Sequence, residues 1–182
     1  TYYYSIQDAN GCIAVDTVVL YSPPLMQLSL STDNLLCYAD ANANAYINVL
    51  NNGILPFNYL WSDGQITDIA FNLNSGFYDL TITDDNNCSV TSSVEVTEPD
   101  ALVSLLSITS LYNGYDISCF GASDGSVSAS TIGGISPYLY SLDSIYFSNT
   151  SNYNSLAEGV FNLITRDNNG CVSTLNVRVS EP

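Results

Sequence analysis

Three segments of the chain repeat one pattern, a strand, a tight turn and a cysteine: YYYSIQDANGC at 2–12, FYDLTITDDNNC at 77–88 and VFNLITRDNNGC at 160–171. A proline closes each copy at the same distance, Pro23, Pro99 and Pro182, and the spacing from Cys88 to Cys171 sets the period. A repeat of this size divides a chain before any other reading begins. Residues 1–23 read as the C-terminal part of a truncated repeat, 24–99 as a full repeat and 100–182 as another. The chain opens inside a repeat, so further sequence, including any secretion signal, is expected upstream of Thr1.

Each full unit carries the same marks in the same order. An early cysteine (Cys37, Cys119) comes first. A Gly-x-x-Pro-aromatic stretch follows, GILPFNYLW from Gly53 and GISPYLYSL from Gly134. A Leu-x-x-Gly-x-aromatic stretch comes next, LNSGFY from Leu73 and LAEGVF from Leu156, and Glu98-Pro99 or Glu181-Pro182 ends the unit.

The apolar period is that of a strand. Tyr78, Leu80 and Ile82 alternate with Asp79, Thr81 and Thr83, which sets one face toward a core and the other toward water. Tyr2, Tyr4 and Ile6 occupy the matching positions of the first copy, with Tyr3 as an outward-facing aromatic. In the third copy Phe161 and Leu163 keep the pattern, and Arg166 reads as a drift near its end. Val94 and Val96, and Val177 and Val179, alternate again after the turns. The turns DANG, DDNN and DNNG are built from residues that accept positive φ, as tight hairpins require. No segment shows a capped 3.6-residue period. Short strands in units of this length predict an all-β chain of tandem Ig-like β-sandwich repeats, with Leu-x-x-Gly-x-aromatic as a corner entering a central strand.

Repeat symmetry also suggests the disulfides. Five cysteines pair as Cys37–Cys88 and Cys119–Cys171, one bridge per repeat, which leaves Cys12 to a partner outside the fragment. Each bridge would close a loop of about 50 residues, worth roughly 4 kcal/mol in the chain-entropy model. Bridges imply an oxidising compartment.

Composition excludes much else. The chain has 18 acidic residues, two basic ones (Arg166 and Arg178) and a net charge of −16. Such a surface repels phosphates, so nucleic acid is excluded as a partner. There is no apolar run long enough for membrane insertion. Without His or Lys, neither a His-activated nucleophile nor a Schiff base can be built, so no catalytic residue is assigned. The one remaining catalytic class, a carboxylate-pair glycosidase, lacks a Glu in apolar surroundings.

Taken together the marks resemble SprB-type repeats, known from cell-surface adhesins of gliding and related Bacteroidetes. The resemblance is carried by Cys119, GGISPYLY from Gly133, Leu156 with Gly159 and Phe161, DNNGC ending at Cys171, and the final Glu-Pro. The preceding unit matches with NGILPFNY from Asn52, Trp61, and DDNNC ending at Cys88. Asn52 and Asn87 replace glycines and are expected to keep positive φ. Phe161 stands where Tyr is usual. The resemblance implies secretion by the type IX pathway and display on a long filament at the cell surface, anchored to the outer membrane, with roles in adhesion or gliding motility. The repeats would then be spacers whose partners are neighbouring repeats. Alternatively, they bind surface polysaccharide or neighbouring filament chains themselves. It also brings in Asp-Ser/Thr-x O-glycosylation, with Ser144 the better candidate and Thr17 the other. Calcium is the one cofactor considered, with Asp84, Asp85, Glu98, Asp100 and Asp167 as candidate oxygen ligands. Asp and Asn at turns also have a purely backbone reason to be there.

Overall fold

The computed structural model describes the backbone of residues 1–182 and the side chains of all but residues 48–51. The described chain is all strand and loop, as the period of two requires, and no helix long and apolar enough to cross a membrane is present among the described residues. It begins with a hairpin of β1 (Tyr2–Gln7) and β2 (Ile13–Val18). Tyr2, Tyr4 and Ile6 occupy the inward positions of the pattern, yet no second sheet covers them here and they stand exposed along with Tyr3.

A β-sandwich follows. One sheet is ordered β3 (Gln27–Thr32), β4 (Ala43–Asn51), β6 (Ile69–Leu73), and the other β5 (Asn58–Trp61), β7 (Gly76–Thr83), β8 (Ser89–Val96). Ala43, Ala45, Ala70 and Leu73 from the first sheet meet Trp61, Leu80, Ile82 and Val96 from the second, and Leu35 closes one end. Small residues on one face and large ones on the other let two twisted sheets interdigitate in a single thin core.

A second sandwich repeats this plan. Its sheets are β9 (Val103–Ile108), β10 (Gly125–Ile132), β12 (Asn152–Leu156), ordered β12-β10-β9, and β11 (Leu139–Ser141), β13 (Gly159–Arg166), β14 (Val172–Val179), ordered β11-β13-β14. Its core is Ile117, Val127, Ala129, Tyr140, Leu163 and Val179.

The Leu-x-x-Gly-x-aromatic stretch is the expected corner. Leu73 ends β6 in one sheet and Gly76 opens β7, the central strand of the other; Leu156 and Gly159 do the same between β12 and β13. The two hairpins that carry the opening pattern pair in register, Tyr78 with Val94 and Leu163 with Leu175. In β13 the alternation does not drift. Thr165 takes the inward position that Ile82 holds in β7, is fully buried, and accepts the Ser104 hydroxyl proton at 2.7 Å. Arg166 therefore points outward, where its guanidinium lies 4.3 Å from the centre of the Phe147 ring. Asn52 and Asn87 do adopt positive φ, at 74° and 62°.

Candidate functional site at the junction between units

The turn after β7 and the turn after β13 are the same object. Asp84 Oδ1 accepts the amides of Asn86 and Cys88 at 3.0 and 2.9 Å, and its Oδ2 accepts the amide of Ile54 at 3.2 Å. Asp167 Oδ1 accepts from Asn169 and Cys171, both at 2.9 Å, and its Oδ2 from Ile135 at 2.9 Å. In the first copy Asp8 Oδ1 likewise accepts from Asn10 and Cys12, both at 2.9 Å. An Asp side chain here satisfies the amides that the tight turn leaves without ladder partners. It also ties the turn to the Gly-x-x-Pro stretch. The approach is close: a Cβ on Gly134, which sits at φ +58°, would lie 2.8 Å from Asp167 Oδ2. Asp84 and Asp167 are buried in this role.

The opposite end of each sandwich carries the early cysteine. Glu98 Oε2 accepts the amide of Ala39 at 2.7 Å, and Glu181 Oε2 accepts that of Gly121 at 2.8 Å. The closing glutamate of each unit thus clamps the loop two residues past Cys37 or Cys119. Ala39 and Gly121 share a positive φ, 60° and 75°.

This layout overturns the expected bridges. Cys88 immediately precedes the eight-residue strand β8, and Glu98 stands just beyond its far end beside the Cys37 loop. Eight residues of strand span roughly 27 Å, whereas a disulfide needs Cα atoms within about 7 Å. Cys37–Cys88 is therefore not formed, and the same geometry along β14 rules out Cys119–Cys171. The bridge that does form is staggered: Cys37 of one unit joins Cys171 of the next, with Cα atoms 5.6 Å apart and a sequence separation of 134. Cys12, Cys88 and Cys119 are free and exposed.

Beside the bridge, Asn169 Nδ2 donates to the carbonyl of Leu36 at 2.8 Å. Tyr38 and Asp40 from one unit, and Ala101, Leu102, Gly170 and Val172 from the other, line a shallow groove around the two sulfurs. The most constrained feature of the chain is thus a covalent junction.

The carboxylates proposed for calcium are not assembled into one site. Asp84 and Asp167 are turn scaffolds, Asp85 is exposed, Glu98 holds Ala39 and the Ser75 hydroxyl, and the Asp100 carbonyl accepts the amide of Gly134. Among the described residues no group of three or more Cys, Asp or Glu side chains is arranged to hold a metal ion. Of the glycosylation candidates, Ser144 lies exposed in a bend at φ 64°, and Thr17 is exposed on β2.

The bend at Ser144 is organised by Asp143. Its Oδ1 accepts the amides of Tyr146 and Ile145 at 2.9 and 2.8 Å and the Ser141 hydroxyl at 2.8 Å. These donors, the Tyr146 amide foremost, hold the carboxyl below its ordinary value of 3.8. A lowered pKa means that the ionised form is the one the fold favours. Its contribution is whole above 3.8 and is lost as pH falls through the lower folded value. An NMR titration of the Ile145 and Tyr146 amides is expected to show this bend loosening only in that acid range, and a change already near neutral pH would contradict it.

Residues 115–145, which hold the Cys119 loop, β10 and β11, match the family model of the SprB repeat. This stretch is similar to a SprB repeat. The resemblance read from the sequence is consistent with this match over residues 115–145. No curated protein matches the chain. Among solved structures, the C-terminal fragment of intimin in complex with the intimin-binding domain of its translocated receptor is similar at 12% identity and a TM-score of 0.43, over 86% of this chain and 64% of that one. Extracellular cadherin domains 1–4 of protocadherin gamma B7 are similar at 12% identity and a TM-score of 0.35, over 98% of this chain and 64% of that one. The chain thus spans a little under two thirds of the length of each. The SprB stretch carries the early-cysteine loop and the Gly-Gly-x-x-Pro strand, the two parts that meet neighbouring elements at opposite ends of the sandwich.

Proposed function

We propose that the chain is a spacer segment of a long extracellular filament, a run of Ig-like SprB repeats with boundaries at 23/24 and 99/100. In this role it holds an adhesive or gliding-related surface away from the cell. The observation that carries this reading is the staggered bridge Cys37–Cys171. A disulfide within one unit would stabilise that unit alone. One between units fixes their relative placement, which a binding domain does not need and a stalk does. The bridge also fits an oxidising exterior better than a reducing cytosol, and the charge of −16 keeps a long repetitive surface from collapsing on itself.

The rival reading gives the repeats their own polysaccharide ligand. Its strongest support would be a row of exposed aromatics. The five most exposed aromatics among the described residues, Tyr21, Phe120, Tyr146, Tyr3 and Phe77, stand on different elements or loops, and the one run of exposed rings, Tyr2 to Tyr4, is confined to the short strand β1. The test is equilibrium binding of the fluorescently labelled chain to a panel of bacterial surface polysaccharides. A spacer shows no saturable binding to any of them. Saturable binding that survives reduction of the bridge would assign the function to the repeats themselves.

A further inference from the structure

We propose that Cys119 and Cys88 are halves of two further junctions of the kind formed by Cys37 and Cys171. The upper face of the second sandwich takes the Asp-x-x-Gly/Asn-Cys turn of a following repeat, and the Cys88 turn takes the early-cysteine loop of a preceding one. The partner is a repeat unit of this same pattern, and the inference rests on the spacer reading in that respect.

The formed junction supplies the template. It has an early cysteine, the carbonyl just before it and an aromatic just after it: Cys37, Leu36 and Tyr38. Against these it sets a late cysteine and the side-chain amide of Asn169. The second sandwich presents Cys119, the Ser118 carbonyl and Phe120 in the same order. Their loop is held in the same shape by Glu181 on Gly121, and by the Ala122 amide on the Cys119 carbonyl at 3.0 Å, matching Asp40 on Cys37 at 3.4 Å. The first sandwich presents Cys88 and Asn86 on a turn whose three Asp84 hydrogen bonds reproduce those of Asp167.

Burial follows occupancy. Cys37, Cys171 and Asn169 are half-buried, while their counterparts Cys119, Cys88 and Asn86 are exposed. Phe120 is 84% exposed against 55% for Tyr38, so an apolar ring stands uncovered where the template has its partner seated. Continuity with an interface already formed selects the occupant.

Closing such a junction joins two thiols as one disulfide. The thiols give up two protons and one electron pair. The electrons and protons pass by thiol–disulfide exchange to a disulfide oxidant, which is reduced to thiols: the paired cysteines of an oxidoreductase, or two molecules of glutathione from its oxidised form.

The experiment extends the full chain at Pro182 with a second copy of residues 100–182, refolds it with oxidised and reduced glutathione, and maps bridges by mass spectrometry after alkylation. The expected result is Cys119 linked to the Cys171 of the appended copy, with the original Cys37–Cys171 bridge present as the internal control. A second protein with residues 24–99 duplicated in tandem tests the other face, where the first copy's Cys37 should link to the second copy's Cys88. In either protein, a Cys37–Cys171 bridge alongside full alkylation of the cysteine predicted to pair overturns the proposal. The polysaccharide test is independent of this outcome, so the spacer reading and the serial junctions can fail separately.

Discussion

Replacing Asp167 with Ala is expected to destabilise the second sandwich by about 3–5 kcal/mol, since it removes one buried carboxylate and strands three backbone amides. The amides are those of Asn169, Cys171 and Ile135. A domain of this size has only about 5–15 kcal/mol in total, so the variant should unfold in mild denaturant. Asp167→Asn keeps one oxygen acceptor for the turn and should cost about half as much. The chain offers a built-in control. It has a single tryptophan, Trp61, buried in the first sandwich. In urea, Asp167→Ala should shift the tyrosine near-ultraviolet transition and leave the Trp61 fluorescence transition in place. Asp84→Ala should shift the Trp61 transition, together with the share of the tyrosine signal that comes from Tyr46, Tyr59 and Tyr78. Equal shifts of both probes in both variants would mean that the turns do not act unit by unit.

Cutting the staggered bridge is expected to change shape more than local structure. In Cys37→Ser the two sandwiches keep their cores, because neither Cys37 nor Cys171 belongs to a core cluster. What is lost is the second covalent tie between the units. For unfolding of both units together the chain-entropy model assigns a 134-position loop a contribution on the order of 5 kcal/mol. Small-angle scattering should show the wild-type chain with one narrow distribution of inter-unit distances, and the variant with a broader and longer one. Adding a reductant to the wild type should reproduce the variant. Identical scattering with and without the bridge would show that the linker and the Asn169–Leu36 hydrogen bond fix the geometry alone.

The sequence revealed the hairpins because they rest on local physics. A period of two in Tyr78, Leu80 and Ile82, followed by an Asp-Asn-rich turn, leaves few alternatives. The corner at Leu73–Gly76 was legible for the same reason. Arg166 was misread because polar Thr165 took the inward position, and its compensating partner Ser104 lies in a strand far away in sequence. The carboxylates Asp84 and Asp167 were noticed, but their role depends on amides of the Gly-x-x-Pro stretch, which only the folded chain brings near. The bridge was missed because repeat symmetry is blind to it. Pairing each early cysteine with its own late cysteine, or with the late cysteine of the next unit, leaves the same pattern along the chain and the same odd total. What decides between them is that β8 and β14 carry the chain from one end of the sandwich to the other between the late cysteine and the closing glutamate.

The stagger has a consequence for damage. Between Cys37 and Cys171 the two units are connected twice, once through the peptide linker that contains Pro99 and once through sulfur. A protease that cuts that linker severs one route and leaves the outer unit attached by the other. Separation then takes two unlike events, hydrolysis and reduction, and a protease alone supplies only the first.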